Sequence, residues 1–347
     1  MRAGAWLRCL AALGAAAQLA VPPGTPAAGG PAASLPLVHV ALTGASASNA
    51  PVYVADGLGY FAARGLRVEV VNLGGSSSEI TAALATGRVD IGDAGINPAL
   101  FNSVRTTGFK VVADKGSLIK GFGYIGIVIR KDLAGQVKGP ADLKGLSIAV
   151  TPPGLGSVTG YLLSTYLARG GLKPSDVHIQ PLGFSEQPAA VSNGAVSAAT
   201  MTEPFATRAV KGGIGVRLVT FDQVVPGQQV GTLAYGAPFI ASHRDWAEQF
   251  MVAYVQGIRA YDAAFSRGVD RARIIQILAR ATPIKDPQLW DQITPAGFNP
   301  TGRVHVESIQ QAENFFNQIG LVPQPPALSS FIDHSFVDHA NQVLGAP

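Results

Sequence analysis

Residues 50–95, APVYVADGLGYFAARGLRVEVVNLGGSSSEITAALATGRVDIGDAG, constrain the fold more than any other stretch. Val52, Ala55, Leu58 and Phe61 recur at helical spacing across 50–63, and Gly65 stands where such a helix would stop. Residues 66–71 are short and rich in β-branched side chains, which predicts a strand. Gly74, Gly75, Ser76, Ser77 and Ser78 then open a second helix that Thr86 and Gly87 close, and 89–93 reads as the next strand. Free N–H groups and hydroxyls at such a helix start accept anionic or strongly polar ligand groups. Short strands alternating with helices predict an α/β fold with a mainly parallel sheet covered on both faces.

The alternation extends in both directions. A strand is expected at 37–42, followed by the polar loop 43–49, then a helix at 98–105 and a strand at 110–113. The strand-like run 123–130 is long enough to leave the first domain. Residues 147–150 start a new strand–turn–helix unit, whose helix covers 158–169. Further strands are expected at 178–182, 198–201 and 216–220, with helices at 186–192 and 204–210. Residues 233–242 are the candidate return crossing, and the remainder is mostly helical (245–266, 271–281, 306–319, 328–344).

At 347 residues the chain exceeds one domain of about 100–200 residues, so two are expected. The reading divides it into a signal and spacer (1–33), a discontinuous first lobe (34–126 and 236–347) and a second lobe (127–235). Two such domains joined by two crossings fit a hinged pair with a ligand between them. In open α/β sheets, ligands sit beyond the carboxyl ends of the strands. Each such end here carries small polar residues, at 46–49, 76–78, 93–97, 154–159, 184–185 and 202–203.

Several segments carry a family resemblance. They are Gly59, Tyr60 and Phe61; Gly65 to Glu69 (GLRVE); Gly74, Gly75 and Ser76; Ala83 to Asp90 (ALATGRVD); and Asp142 to Val150 (DLKGLSIAV). In this order and spacing the chain resembles the solute-binding proteins of ABC importers, in the nitrate/sulfonate/taurine and thiamine-precursor branch. The resemblance runs from about residue 37 to 219 and thins afterwards. It implies a two-lobed periplasmic-binding-protein type II fold, with each lobe a mainly parallel sheet flanked by helices and two crossover segments between them. It also implies a small organic solute (a sulfonate, an aromatic acid or a pyrimidine type) and the transmembrane subunits of an ABC permease as partners.

The candidate ligand-binding residues are Ser46, Ser48, Asn49, Ser76, Ser77, Asp93, Ala94, Gly154, Ser157, Thr159, Phe184, Glu203 and Tyr235. Around Gly154 a Gly-rich turn feeds a helix, and its N–H groups with the Ser157 and Thr159 hydroxyls suit an oxyanion or a carbonyl. Plain helix capping explains each hydroxyl equally well. Glu203 either meets a donor on the ligand or is a carboxylate favoured at a helix start. Phe184 and Tyr235 are candidates for flanking an organic ligand, although cores favour aromatics too. Tyr60 and Phe61 read as core. Lys115 and Lys120 lie near the first crossing and either meet an anionic ligand or are solvated surface, the reading preferred.

Gly121 to Gly126 match GxGxxG but run into a strand, which excludes the dinucleotide reading. His334 and His339 diverge on a helix and form no metal pair, whereas Asp338 can pair with His334 across one turn. The sequence has neither GxSxG nor HExxH, so no catalytic residue, metal site or cofactor is expected. A net charge of +4, falling to +2 without Arg2 and Arg8, and no Lys/Arg run beyond the signal argue against a nucleic-acid partner.

Arg2 and Arg8 flank the start of an apolar, Ala-rich run at 10–21, too short to span a bilayer with ease, and small residues follow. This predicts a cleaved signal peptide and a periplasmic protein, with an uncleaved membrane anchor as the alternative; a monomer is expected. Cys9, the single cysteine, lies within that signal, so no disulfide, thiol nucleophile or thiolate metal site is expected in the mature chain. The alternative function is an enzyme of the thiamine-pyrimidine synthase type, which shares the fold. Those enzymes depend on a Cys-rich iron motif that this chain lacks. A sensor domain of a signalling protein is the third reading, the least supported.

Overall fold

The β-branched run that begins the described chain forms strand β1 (Leu37–Leu42), which pairs in parallel with β2 (Arg67–Asn72) and with β3 (Ile91–Gly95). A computed structural model describes residues 35–44, 46–73, 77–282 and 284–347. The expected signal and spacer, with Cys9, and the candidate Ser76 lie outside the described residues. Val38, Val40 and Ala41 are fully buried, and burying each such valine contributes about 1.5–3 kcal/mol. The strand is therefore apolar on both faces, as a central strand under helices must be.

The remaining strands are β4 (Lys110–Asp114), β5 (Ile125–Arg130), β6 (Ser147–Val150), β7 (His178–Pro181), β8 (Ala198–Thr202), β9 (Gly215–Thr220) and β10 (Gly231–Tyr235). They form two five-stranded sheets of orders β2-β1-β3-β10-β4 and β7-β6-β8-β5-β9. The two orders are equivalent, because in each sheet the fourth strand runs antiparallel to both its neighbours. In each case that strand is the one that has just arrived from the other sheet. The mixed α/β architecture is thus a pair of sheets that exchange one strand each.

This exchange corrects the expected return crossing. Strand β10 is a full member of the first sheet, with Gly231 opposite Gly95 and Tyr235 opposite Ile91. The chain therefore returns before Gly231, and 237–242 is a short helix instead. The sheet-to-sheet connections are residues 115–124 and 221–230. They pair with each other: the Leu118 N–H donates to the Gln228 carbonyl at 2.9 Å, the Gly227 N–H to the Leu118 carbonyl at 2.8 Å, and the Val230 N–H to the Gly116 carbonyl at 2.9 Å. The sequence pattern missed this ribbon because its polar residues read as loop.

Other departures are local. The helix expected at 50–63 breaks into Ala50–Gly57 and Tyr60–Ala63, with Gly59 between them at φ 77°. Only glycine adopts that conformation without strain. The helix expected at 328–344 begins at Ser335. Arg303 separates the expected His334–Asp338 pair: its Nη1 lies 3.0 Å from His334 Nδ1 and its Nη2 2.5 Å from Asp338 Oδ1. Most of the core is one cluster centred on the first sheet and the long helix Arg244–Arg267, and a smaller one under the second sheet contains Val128, Val191 and Met201.

Candidate ligand-binding seam

The carboxyl ends of β1, β3 and β4 carry the polar residues of the first sheet. After β1 the chain turns through Thr43 into the short 3-10 turn Ala47–Asn49 and then the helix Ala50–Gly57. Asn49 ties this turn back to β1, its Nδ2 donating to the Thr43 and Gly44 carbonyls at 3.2 and 2.8 Å. Both of its N–H donors are therefore spent. Its Oδ1 is buried and has no hydrogen-bond partner among the described residues.

Asp93 on β3 points at the same turn. Its Oδ2 accepts from the Thr43 N–H at 3.3 Å and from the Thr43 hydroxyl. The same oxygen lies 2.8 Å from Lys115 Nζ, and both side chains are almost wholly buried. Lys115 Nζ also donates to Ser48 Oγ at 3.2 Å. Lys115 is thus a buried cation held by a carboxylate, which overturns its reading as solvated surface. It directly follows the strand sequence KVVAD, so its place at a strand end was visible in the sequence, but its partner, more than twenty residues away, was not.

From Ser48 the polar chain continues across to the second sheet. Ser48 Oγ lies 3.0 Å from Ser46 Oγ, and Ser46 Oγ lies 3.5 Å from Thr202 Oγ1 at the end of β8. One residue further, the Glu203 carbonyl accepts from the Ala47 N–H at 3.1 Å, and the Glu203 N–H donates to the Tyr124 carbonyl at 2.7 Å. Tyr124, entering β5, is buried, and its hydroxyl has no hydrogen-bond partner among the described residues. A Cβ placed on Gly116 would lie 2.6 Å from that hydroxyl and 3.0 Å from Ser48 Cβ, so the phenol reaches the turn that Ser48 occupies. Burial, aided by the Asp114 and Asp93 carboxylates, pushes the Tyr124 phenol well above its ordinary pKa, and it stays a neutral donor.

The Glu203 carboxylate is turned inward. It accepts from Arg217 Nη2 at 2.5 Å, from the Thr207 N–H at 3.0 Å and from the Thr207 hydroxyl at 2.9 Å. Thr207 lies in the first turn of the helix Phe205–Lys211, so the helix-start role expected for Glu203 is present and the ion pair is added to it. Arg217 and Tyr124 are not among the expected site residues: an isolated Arg in a strand carries no distinguishing pattern, and Tyr124 beside Gly123 reads either as an aromatic presented by the crossing or, preferably, as core.

The Gly154 turn faces the first sheet's helices: a Cβ on Gly156 would sit 3.1 Å from Leu321 Cδ1 and 3.7 Å from Pro98 Cγ. Its hydroxyls are engaged internally. Ser157 caps the helix Val158–Arg169 by accepting from the Gly160 N–H at 3.0 Å, and its own hydroxyl donates to the Gly154 carbonyl at 2.7 Å. Thr159 Oγ1 accepts from the Thr151 N–H at 2.9 Å. Ala94 is a buried strand residue whose carbonyl accepts from the Thr232 hydroxyl at 2.6 Å. Ser77 is the first residue of the helix Ser77–Ala85. Phe184 is half-buried and belongs to neither core cluster.

Tyr235 is not at the seam. It ends β10 beside Ile91, the start of β3, and so lies at the opposite end of the sheet from Asp93 and Gly95. It is wholly buried, its hydroxyl donates to the Ala247 carbonyl at 2.9 Å, and Phe239, Phe250 and Phe336 pack edge-on to its ring. The correction follows from strand direction, because an antiparallel fourth strand presents its amino end, not its carboxyl end, to the seam.

Among the seam residues Ser46, Ser48, Asn49, Asp93 and Glu203 come together, joined by Lys115, Tyr124, Thr202 and Arg217. Among the described residues no group of three or more His, Cys, Asp or Glu side chains is placed to hold a metal ion.

Two sheets of equivalent strand order, an exchanged antiparallel strand in each, and a polar seam at the strand ends define a periplasmic-binding-protein fold. The sequence model of the NMT1-like family matches residues 31–279, more than half of the chain. The chain belongs to that family. No curated protein matches it in sequence. Among solved structures it is similar to the alkanesulfonate-binding protein SsuA from Xanthomonas axonopodis pv. citri bound to MOPS, at 20% identity over 87% of this chain and 99% of that one, with a TM-score of 0.68. It is similar to the periplasmic nitrate-binding protein NrtA from Synechocystis PCC 6803, at 16% identity over 90% of each chain, with a TM-score of 0.71. It is also similar to the ligand-binding component of an ABC-type import system from Staphylococcus aureus, at 18% identity over 88% of this chain and 99% of that one, with a TM-score of 0.72. Among the described residues no helix is long and apolar enough to cross a membrane.

Proposed function

We propose that this protein is the extracytoplasmic solute-binding component of an ABC importer. One lobe carries the sheet of β1–β4 and β10 with the C-terminal helices, and the other carries β5–β9. The lobes close on a small organic solute and present it to the transmembrane subunits of a permease. The protein acts as a periplasmic monomer after removal of its signal peptide, and it makes and breaks no covalent bond. The observation that carries this reading is the hydroxyl chain Lys115–Ser48–Ser46–Thr202, which runs from the strand ends of one sheet to those of the other. A solute seated there touches both sheets, so it favours the closed arrangement through its differential affinity for it. The paired crossings 115–124 and 221–230 supply the hinge. The family and its relatives' roles in import support this reading over catalysis, since function rests on the site and the seam offers no nucleophile–base pair among the described residues.

The test is solution scattering of the mature protein against a panel of small organic solutes, with thermal unfolding in parallel. A binding solute raises the melting temperature and contracts the particle. A particle whose dimensions never respond to any stabilising solute is not a closing receptor. A full-length protein recovered with the cytosol after fractionation removes the export part of the reading.

A further inference from the structure

The charges at the seam are matched. Asp93 and Lys115 pair at 2.8 Å and Glu203 and Arg217 at 2.5 Å. Two more carboxylates lie in or beside the crossings, both buried and both held by amides: Asp114 accepts from the Gly116 and Asn299 N–H groups, each at 2.7 Å, and Asp222 from the Gly121 N–H at 2.9 Å. Lys120, the other cation of the first crossing, is exposed. An anion entering here would meet Lys115 and Arg217 each already paired with a carboxylate, and would face two further acids. A bare anion needs a strong cationic partner or many N–H donors, and desolvating one without them costs several kcal/mol.

Of the buried groups without a hydrogen-bond partner among the described residues, which include Arg217 Nη1 and, in the crossings, Ser117 Oγ, Asp222 Oδ1 and Gln228 Oε1, two adjoin the turn that Ser48 occupies. Asn49 Oδ1 can only accept, because its amide nitrogen is committed to two carbonyls. The Tyr124 hydroxyl remains protonated and offers an O–H. A buried acceptor and a buried donor left unmet are each destabilising, so a solute that satisfies both is selected over one that satisfies neither.

We propose that the seam selects an uncharged solute carrying both a hydrogen-bond donor and an acceptor, as in a carboxamide or a lactam, and rejects sulfonates, carboxylates and nitrate. This rests on the receptor reading above and narrows it. The Asp93 carboxylate is the residue that sets the rejection: it neutralises Lys115. Removing its charge converts the site to an anion acceptor without adding a side chain.

The experiment uses isosteric pairs, benzamide against benzoate and benzenesulfonate, with 2-pyrrolidone and nitrate as the smaller pair, titrated calorimetrically into the exported protein and into D93N. The wild type is expected to bind an amide or lactam at least tenfold more tightly than its anionic counterpart. In D93N the order reverses, with anion affinity rising at least tenfold as Lys115 loses its carboxylate. The double variant D93N/K115M, which restores a neutral pair, keeps the amide preference, and it serves if D93N alone is too unstable to titrate. A wild type that prefers benzenesulfonate, benzoate or nitrate overturns the charge rule; contraction in scattering with that anion would show that the receptor reading survives. A wild type that binds no probe of either kind also overturns the rule as stated. Loss of all solute-induced contraction would instead remove the receptor reading itself.

Discussion

The Nζ of Lys115 lies 2.8 Å from Oδ2 of Asp93, with both side chains almost wholly out of water. The pair joins the end of β3 to the start of the first crossing, and through Ser48 it anchors the turn that reaches the second sheet. Buried ion pairs gain little over apolar replacements of the same shape, but half of one is costly. K115M leaves Asp93 ionised and uncompensated, held among the described residues by the Thr43 N–H and hydroxyl. The expected loss of unfolding free energy is about 3–5 kcal/mol, and the D93N/K115M double variant recovers most of it. Urea unfolding of the two variants and the wild type measures this. A single variant as stable as the double one would mean that the two charges do not act as a pair.

Tyr235 provides the contrast between an aromatic of the core and one of the site. Its hydroxyl has one partner, the Ala247 carbonyl at 2.9 Å, and its ring is enclosed by three phenylalanines. Y235F should lose about 1 kcal/mol for the hydrogen bond. Y235A should lose about 3–5 kcal/mol, as large-to-small changes in packed cores do. Solute affinity of Y235F should equal that of the wild type. Stability is read from urea unfolding and affinity from calorimetry; a weakened affinity in Y235F with unchanged stability would return Tyr235 to the binding site.

The fold was legible because its strands are short, β-branched and separated by helices with glycine stops. Most strand positions follow from that pattern, and the small polar residues at strand ends pointed to the turn of Ser46, Ser48 and Asn49 and to Asp93. Three things were not legible. The direction of β10 is set by where the chain re-enters the first sheet, and a five-residue apolar strand looks the same run either way, so Tyr235 was placed at the wrong end. Lys115 reads as surface until Asp93 is known to face it, because lysine is buried only when paired and sequence shows one partner at a time. The crossings are rich in Gly, Ser and Gln, which suits a loop; their pairing into a ribbon depends on contacts such as Ser117 with Gln229, across more than a hundred residues.

His334 gives a pH dependence with a defined sign. Burial, and then the Arg303 guanidinium, hold its imidazole below the ordinary value, and the Asp338 and Asp333 carboxylates only partly oppose them. Between the lowered folded value and the ordinary unfolded one, the unfolded chain binds more protons than the folded one. Stability therefore rises with pH across that interval and falls as the solution is acidified through it. The H334Q variant should show a flatter stability profile through the imidazole range, measured by urea unfolding at a series of pH values. A steeper loss on acidification in H334Q than in the wild type would reverse the assignment. The group is half exposed, so the effect is modest and shrinks in salt.

Glu203 and Arg217 form the second matched pair, and their unequal burial makes the two halves inequivalent. The Glu203 side chain is fully buried, whereas Arg217 keeps 22% of its side-chain surface in solvent. R217M strands a carboxylate in the interior with only Thr207 and a long contact from the Thr294 N–H, at 3.4 Å, to hold it. E203Q leaves an arginine whose side chain is partly exposed, although its Nη1 is buried. R217M should therefore cost about 3–5 kcal/mol and E203Q distinctly less, an ordering that a symmetric view of the ion pair would not give. Glu203 also bridges the sheets through its backbone, the carbonyl accepting from the Ala47 N–H at 3.1 Å. Displacing it should loosen the contact between the turn after β1 and the end of β8. Small-angle scattering should then show a larger radius of gyration for R217M than for E203Q while both remain folded by circular dichroism. Equal costs in the two variants, or a cost within about 0.5 kcal/mol of zero as for ordinary surface changes, would mean that the pair neither holds the Glu203 backbone nor supports the seam.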